Sequence, residues 1–189
     1  MPYEQGLLTR FLTRDGKSSI DVSVDPTSAL PPYVVVNEPE KTLSDREAAM
    51  WRARELARHF AIEKPVASCS DRYETVVLPE SDRDDSDWLV YLIAMPADPN
   101  RFAVGGHHRI RISADGARIV EHFPLSKGCL SPEYDPDSPG FVVTHLVSSE
   151  PVETEVYLSL LHGIRLYVSI PEPKQLFSIE NGRIRRVED

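Results

Sequence analysis

The segment Trp88-Leu89-Val90-Tyr91-Leu92-Ile93-Ala94-Met95 decides the fold class. Its eight residues form the longest apolar run in the chain, far short of the ~20 residues of a membrane-spanning helix. A run without polar alternation is buried on both faces, so it predicts a central strand. Upstream, beyond the polar loop Ser81-Asp82-Arg83-Asp84-Asp85-Ser86-Asp87, Tyr73 to Leu78 predicts a neighbouring strand. Downstream, Val104 to Ser113 and Ala117 to Leu125 predict a hairpin, and Phe141 to Val147 and Ile164 to Ile170 further strands. Gln175 to Glu180 and Arg183 to Val187 flank Asn181-Gly182, a dipeptide that suits a type I′ turn because both residues tolerate φ > 0.

Before this β series stands one strong helix signal, Ser44 to Ala61. Ser44-Asp45-Arg46-Glu47 reads as a capping box, and Ala49, Ala53, Leu56 and Phe60 make one apolar stripe. Pro65 ends any continuation. Residues 152–162 fit two patterns: Val152, Val156 and Leu160 at helical spacing, or Val156, Leu158 and Leu160 at strand spacing. The helix is preferred, with Ser149 as cap, Pro151 in the first turn and Gly163 as terminator. A helix followed by strands predicts an α+β fold: an antiparallel sheet packed against the N-terminal-side helix, with a second short helix. Residues 41–189 read as one α+β domain. Residues 1–40 read as an N-terminal appendage, its short runs broken by Pro26, Pro31 and Pro32, that wraps the outside or joins a partner.

The central hairpin predicts its own register. Ser113-Ala114-Asp115-Gly116-Ala117 suits a three-residue loop with Gly116 left-handed. Paired residue numbers then sum to 230, setting Ile110 against Val120, Arg109 against Glu121 and His108 against His122. The two histidines therefore share a face.

Charge limits the partners. The 189 residues carry a net −9, with −6 on residues 1–94 and −3 on residues 95–189. Neither half supplies the positive field that nucleic acid or an anionic membrane requires, so neither partner is expected. Arg183, Arg185 and Arg186, and Arg109, Arg111 and Arg118, read as solvated strand faces. The first residues, Met1 to Gly6, contain no basic segment followed by an apolar one. On that reading the chain is cytoplasmic, with periplasmic or secreted location as the alternative for a processed chain. Cys69 and Cys129 stand 60 residues apart, which excludes a CxxC zinc or redox motif. They read as reduced thiols in the cytosol, or as one candidate disulfide in an exported protein.

No motif names a chemistry. Gly105-Gly106 lacks the rest of a phosphate loop and reads as a bend at a strand start. Asp82, Asp84, Asp85 and Asp87 lack the glycine and the twelfth-position glutamate of an EF-hand. Glu153 and Glu155 read as a solvated face, and Cys129 with His122 as a remote thiol-nucleophile pairing. His108 and His122 are the candidate catalytic or metal-binding residues, lacking a third ligand. No cofactor is expected, and no oligomeric state is legible.

The segments Cys69-Ser-Asp-Arg-Tyr-Glu-Thr-Val-Val-Leu-Pro79, Val104-Gly-Gly-His-His-Arg-Ile-Arg-Ile-Ser113, Pro124-Leu-Ser-Lys-Gly-Cys-Leu130 and Ser159-Leu-Leu-His-Gly-Ile-Arg-Leu-Tyr-Val168 resemble a group of uncharacterised bacterial proteins. The helix followed by a meander also loosely resembles cystatin-like and PepSY-type domains. That resemblance implies a binding or inhibitory role and carries no catalytic residues. The expected function is a non-enzymatic binding or interaction module, of the inhibitor or immunity type, with a protein partner. The alternative is a small hydrolase using histidine and carboxylate.

Overall fold

The computed structural model describes residues 7–25, 27, 29–63, 69–135 and 137–188. Pro26 and Pro65 lie outside the described residues. Among the described residues the chain forms eleven strands and two helices. It divides into two compact units, residues 1–52 and 53–189, with the boundary inside the first helix. The fold is α+β and mostly strand. The expected single sheet is instead three sheets, because the chain closes each group of strands separately.

In the first unit, β1 (Leu7–Leu12), β2 (Ser18–Val24) and β3 (Tyr33–Lys41) form an antiparallel meander. The β1–β2 turn closes through Thr13 N–H to the Lys17 carbonyl at 2.8 Å. Helix α1 (Asp45–Glu63) begins on the expected capping box. Glu47 accepts from the Ser44 backbone N–H at 2.8 Å, and Ser44 Oγ accepts from the Glu47 N–H at 3.4 Å. The buried stripe of α1 is Ala49, Ala53 and Ala57, while Leu56 and Phe60 are half-buried beside it. Alanines at i, i+4 and i+8 allow close approach of whatever α1 packs on.

In the second unit, β4 (Tyr73–Pro79), β5 (Trp88–Ala94), β6 (His108–Ile112) and β7 (Ile119–Pro124) form an antiparallel meander in chain order. Strand β5 is central, as its unbroken apolar run requires. Val90, Leu92 and Ala94 are buried on one face, and Tyr91 and Ile93 on the other. The third sheet contains β8 (Phe141–Thr144), β9 (Leu166–Ile170), β10 (Gln175–Glu180) and β11 (Arg183–Arg186), in the order β11-β10-β9-β8. Strands β8 and β9 are parallel, joined through helix α2 (Glu153–His162), so one β-α-β unit interrupts the antiparallel series. Helix α2 ends at Gly163 with φ 62°, as expected. Its start differs: Val152 is the N-cap, and Glu155 rather than Ser149 accepts a free N–H, from Val152 at 2.9 Å. The Asn181-Gly182 turn has φ 49° and 72°, and pairs Glu180 with Arg183.

The β6–β7 register corrects the expected one. Arg111 pairs with Glu121, Ile110 with His122 and Arg109 with Phe123, so the numbers sum to 232. Gly116 is left-handed at φ 75°, but the loop is one residue longer, with the Ser113 N–H bonded to the Arg118 carbonyl at 2.9 Å. Ser113 Oγ accepts from the Arg118 N–H and Asp115 from the Ala117 N–H, each at 3.0 Å, and these side chains hold the wider turn. A bulge between the Ile112–Ile119 and Arg111–Glu121 pairs adds the second residue. Two residues of slip preserve strand parity, so the same side chains stay buried.

Ala57→Leu adds three carbons at a fully buried position. It should lower stability by about 1–3 kcal/mol, read as a lower urea midpoint with an unchanged slope.

Candidate functional site

The histidines separate into structural and polar-network roles. His107 is buried; its Nδ1 accepts from the Ala94 N–H at 3.0 Å and its Nε2 faces the Ala103 carbonyl at 3.0 Å. That pair of contacts requires the neutral ring, and burial lowers its pKa to about 4. His107 is therefore a bracket between β5 and the segment before β6.

His108 and His122 share a face, as expected, although His108 is paired with Pro124 and the contact runs diagonally. His122 Nε2 lies 3.2 Å from His108 Nδ1, so one ring donates to the other. Phe60 of α1 packs edge-on against His122 with ring centroids 5.0 Å apart. Burial, with the charges of His122 and His107 behind it, lowers the His108 pKa to about 4. No group of three metal-ligating side chains occurs among the described residues.

Cys69 and Cys129 form a disulfide with Cα atoms 5.1 Å apart. Cys129 is thereby no nucleophile, and the pairing with His122 has no thiol to activate. The bridge explains Gly105-Gly106: a Cβ on Gly106 (φ 84°) would overlap Cβ and Sγ of Cys69, and one on Gly105 would overlap the Gly128 carbonyl. Two aspartates of the acidic loop have partners within the chain. Arg83 holds Asp85 through two contacts of 2.8 Å, and Asp87 accepts from the Ala114 N–H at 3.1 Å.

A second polar constellation was invisible in the sequence. His145, just past β8, is buried; its Nδ1 lies 3.0 Å from Glu155 Oε1 and its Nε2 2.7 Å from Ser148 Oγ. Glu155 belongs to the first turn of α2 and is 5% exposed, which corrects its reading as part of a solvated face. Its other oxygen caps the helix at the Val152 N–H. Glu153, by contrast, is half-exposed and accepts from Arg109 at 2.5 Å and from the Tyr91 hydroxyl at 3.2 Å. His145 and Glu155 line a cleft of about 170 Å³, with Ser126, Lys127, Thr144 and Thr154 adding polar groups to a largely apolar wall.

The first unit has an inverted sheet. Leu7 stands opposite Val24, Thr9 opposite Val22, and Phe11 opposite Ile20; Val34 and Val36 continue the rows across β3. These residues share one uncharged face, with Leu7 66%, Phe11 54%, Val34 57% and Val36 62% exposed. On the opposite face Asp21 and Ser23 of β2 are buried, while Leu8 and Tyr33 beside Ser23 are exposed. There Asp21 takes Ser18 Oγ at 2.5 Å, Lys41 Nζ at 3.2 Å and Arg10 Nε at 3.3 Å, and Arg10 also pairs with Glu47 of α1. Burial works against the Asp21 charge, but the bonds from Ser18 and Lys41 and the Arg10 charge outweigh it and hold the pKa below the usual carboxylate range. Strand alternation marked β2 as half-buried; which face lies inside was not legible, because both faces of the meander carry enough apolar residues to qualify.

No protein-family model matches the chain, and no curated protein or solved structure matches it.

Two outcomes follow from this chemistry. His107 has a native pKa below its unfolded value of 6.5, so the unfolded chain binds more protons between about pH 4 and 6.5. Its contribution is complete above pH 6.5 and is lost as pH falls toward 4, a change of about 3 kcal/mol. Thermal unfolding followed from pH 7 to 4 should show a declining Tm, with a shallower decline in His107→Gln. Removing the disulfide in Cys69→Ser/Cys129→Ser opens a loop spanning 60 residues and should cost about 4 kcal/mol by the chain-entropy relation. Chemical denaturation with and without reductant measures it: reductant should reproduce the loss in the natural chain and leave the double variant unchanged.

Proposed function

We propose that this protein is a binding module and that the apolar face of the N-terminal sheet is its docking surface. The observation that carries the reading is the inversion just described. Apolar residues in a contiguous row are left to solvent while the Asp21 carboxylate on the other face is buried. An apolar face of this kind stabilises a complex by the area it removes from water. Exposed Glu38 and Glu40 on β3, and the net −9 of the chain, give that face an acidic surround. The occupant is accordingly a partner protein with an apolar patch inside a basic rim, steered by charge and held by apolar contact. A second copy of this chain would set acidic rim against acidic rim.

The Cys69–Cys129 disulfide supports a periplasmic or secreted location, since such bridges persist in oxidising compartments. That proposal replaces the cytoplasmic expectation.

The test is capture from native extract with identification by mass spectrometry, followed by reconstitution with the purified partner. Val34→Glu and Phe11→Glu should each weaken binding by roughly 100-fold or more, with far-ultraviolet dichroism and Tm unchanged. Raising salt should slow association. Equal affinity of the natural and variant chains, or self-association as the sole complex, would defeat the reading.

A further inference from the structure

We propose that Ser148, His145 and Glu155 form an acyl-transfer site, with Ser148 as nucleophile toward small esters. This inference concerns the second unit and is independent of the docking face on the first.

The geometry supplies a nucleophile, a base and a carboxylate that orients the base. Ser148 is exposed, and its Oγ lies 2.7 Å from His145 Nε2. On the far side of the ring, Nδ1 lies 3.0 Å from the Glu155 carboxylate. A carboxylate accepts, so Nδ1 carries the hydrogen and Nε2 is left to take the serine proton. Glu155 is fixed in turn by its bond from the Val152 N–H and by the first turn of α2, so the carboxylate cannot rotate away. It is a positioning residue: it holds the ring's tautomer and faces the charge the ring acquires. The buried setting makes the His145–Glu155 contact count for more than it would in water. One competitor is present: Ser148 Oγ also lies 2.5 Å from the Glu150 carbonyl, an alternative acceptor for the hydroxyl hydrogen. Substrate binding in the adjacent cleft would have to turn that hydrogen to Nε2.

The cleft sets the substrate class. About 170 Å³ is smaller than the roughly 300–1,000 Å³ of pockets for drug-sized ligands. Val104, Leu125 and Val143 offer a short acyl chain an apolar wall beside His145, which also lines the cleft.

The step balances with water alone. Ser148 Oγ bonds to the ester carbonyl carbon while its proton passes to His145 Nε2. The carbon–alkoxy bond breaks and that proton leaves with the alcohol. Water then adds to the acyl-serine carbonyl, giving a proton to Nε2. The Oγ–carbon bond breaks, Ser148 regains the proton and the carboxylic acid departs.

The experiment uses the full, oxidised chain. A fluorophosphonate probe should add one adduct, mapped by peptide mass spectrometry to Ser148, and p-nitrophenyl acetate should be cleaved faster than p-nitrophenyl octanoate. Ser148→Ala and His145→Asn should each lower kcat by roughly 100-fold or more. Glu155→Gln should lower kcat with KM unchanged, whereas a purely structural role would move Tm and KM together. No adduct at Ser148 on the natural chain, or ester cleavage that Ser148→Ala leaves intact, overturns the proposal. The first of these readouts needs no variant, so it stands even if a substitution fails to fold.

Discussion

Burial of β5 on both faces is the constraint from which the second unit follows. A strand carrying Trp88, Val90, Leu92 and Ala94 on one side and Leu89, Tyr91 and Ile93 on the other cannot sit at a surface. Each face must find its own cover. On the first face, Val90 pairs with Ile110, and Ile110 with His122, against which Phe60 of α1 packs. On the second, Tyr91 and Ile93 pack with Leu125 and Val152, the residue that caps α2. The covering of one strand thus fixes where both helices meet the meander.

That arrangement explains why the polar groups gather where they do. With Val152 in the apolar cluster, the first turn of α2 is drawn against the sheet, and Glu155 is buried with it. A buried carboxylate needs partners, and this one has two: a helix N–H and His145. On the neighbouring residue pattern, Glu153 meets Arg109 and Tyr91. The disulfide works on the same region from another side, since Cys129 and Gly128 line the cleft that His145 and Glu155 border.

The first unit solves a different problem. Three short strands cannot bury two faces, and the meander buries Asp21, with Arg10 and Lys41 reaching it from the partly and fully exposed edges. Ion pairs of this kind contribute little net stability after desolvation, so they do not by themselves explain the choice. The face left outside carries Leu7, Phe11, Val34 and Val36.

Local signals alone determined much of the fold. The capping box at Ser44, the positive-φ turn at Asn181-Gly182, the stop at Gly163 and the central place of Trp88–Ala94 each depend on neighbours within a few residues. The shared face of His108 and His122 survived a wrong register because strand parity is local even when pairing is not. The tertiary structure decided what depends on distant partners. The division into three sheets, the parallel pair β8–β9, the bulge at β7 and the inverted face of the first meander are of this kind. So is the meeting of Ser148, His145 and Glu155. His145 and Ser148 are three residues apart on a loop, and Glu155 reads as solvent-facing until Val152 is buried. Side-chain chemistry is written in the residues, but the distances that let it act are set by which faces the core takes.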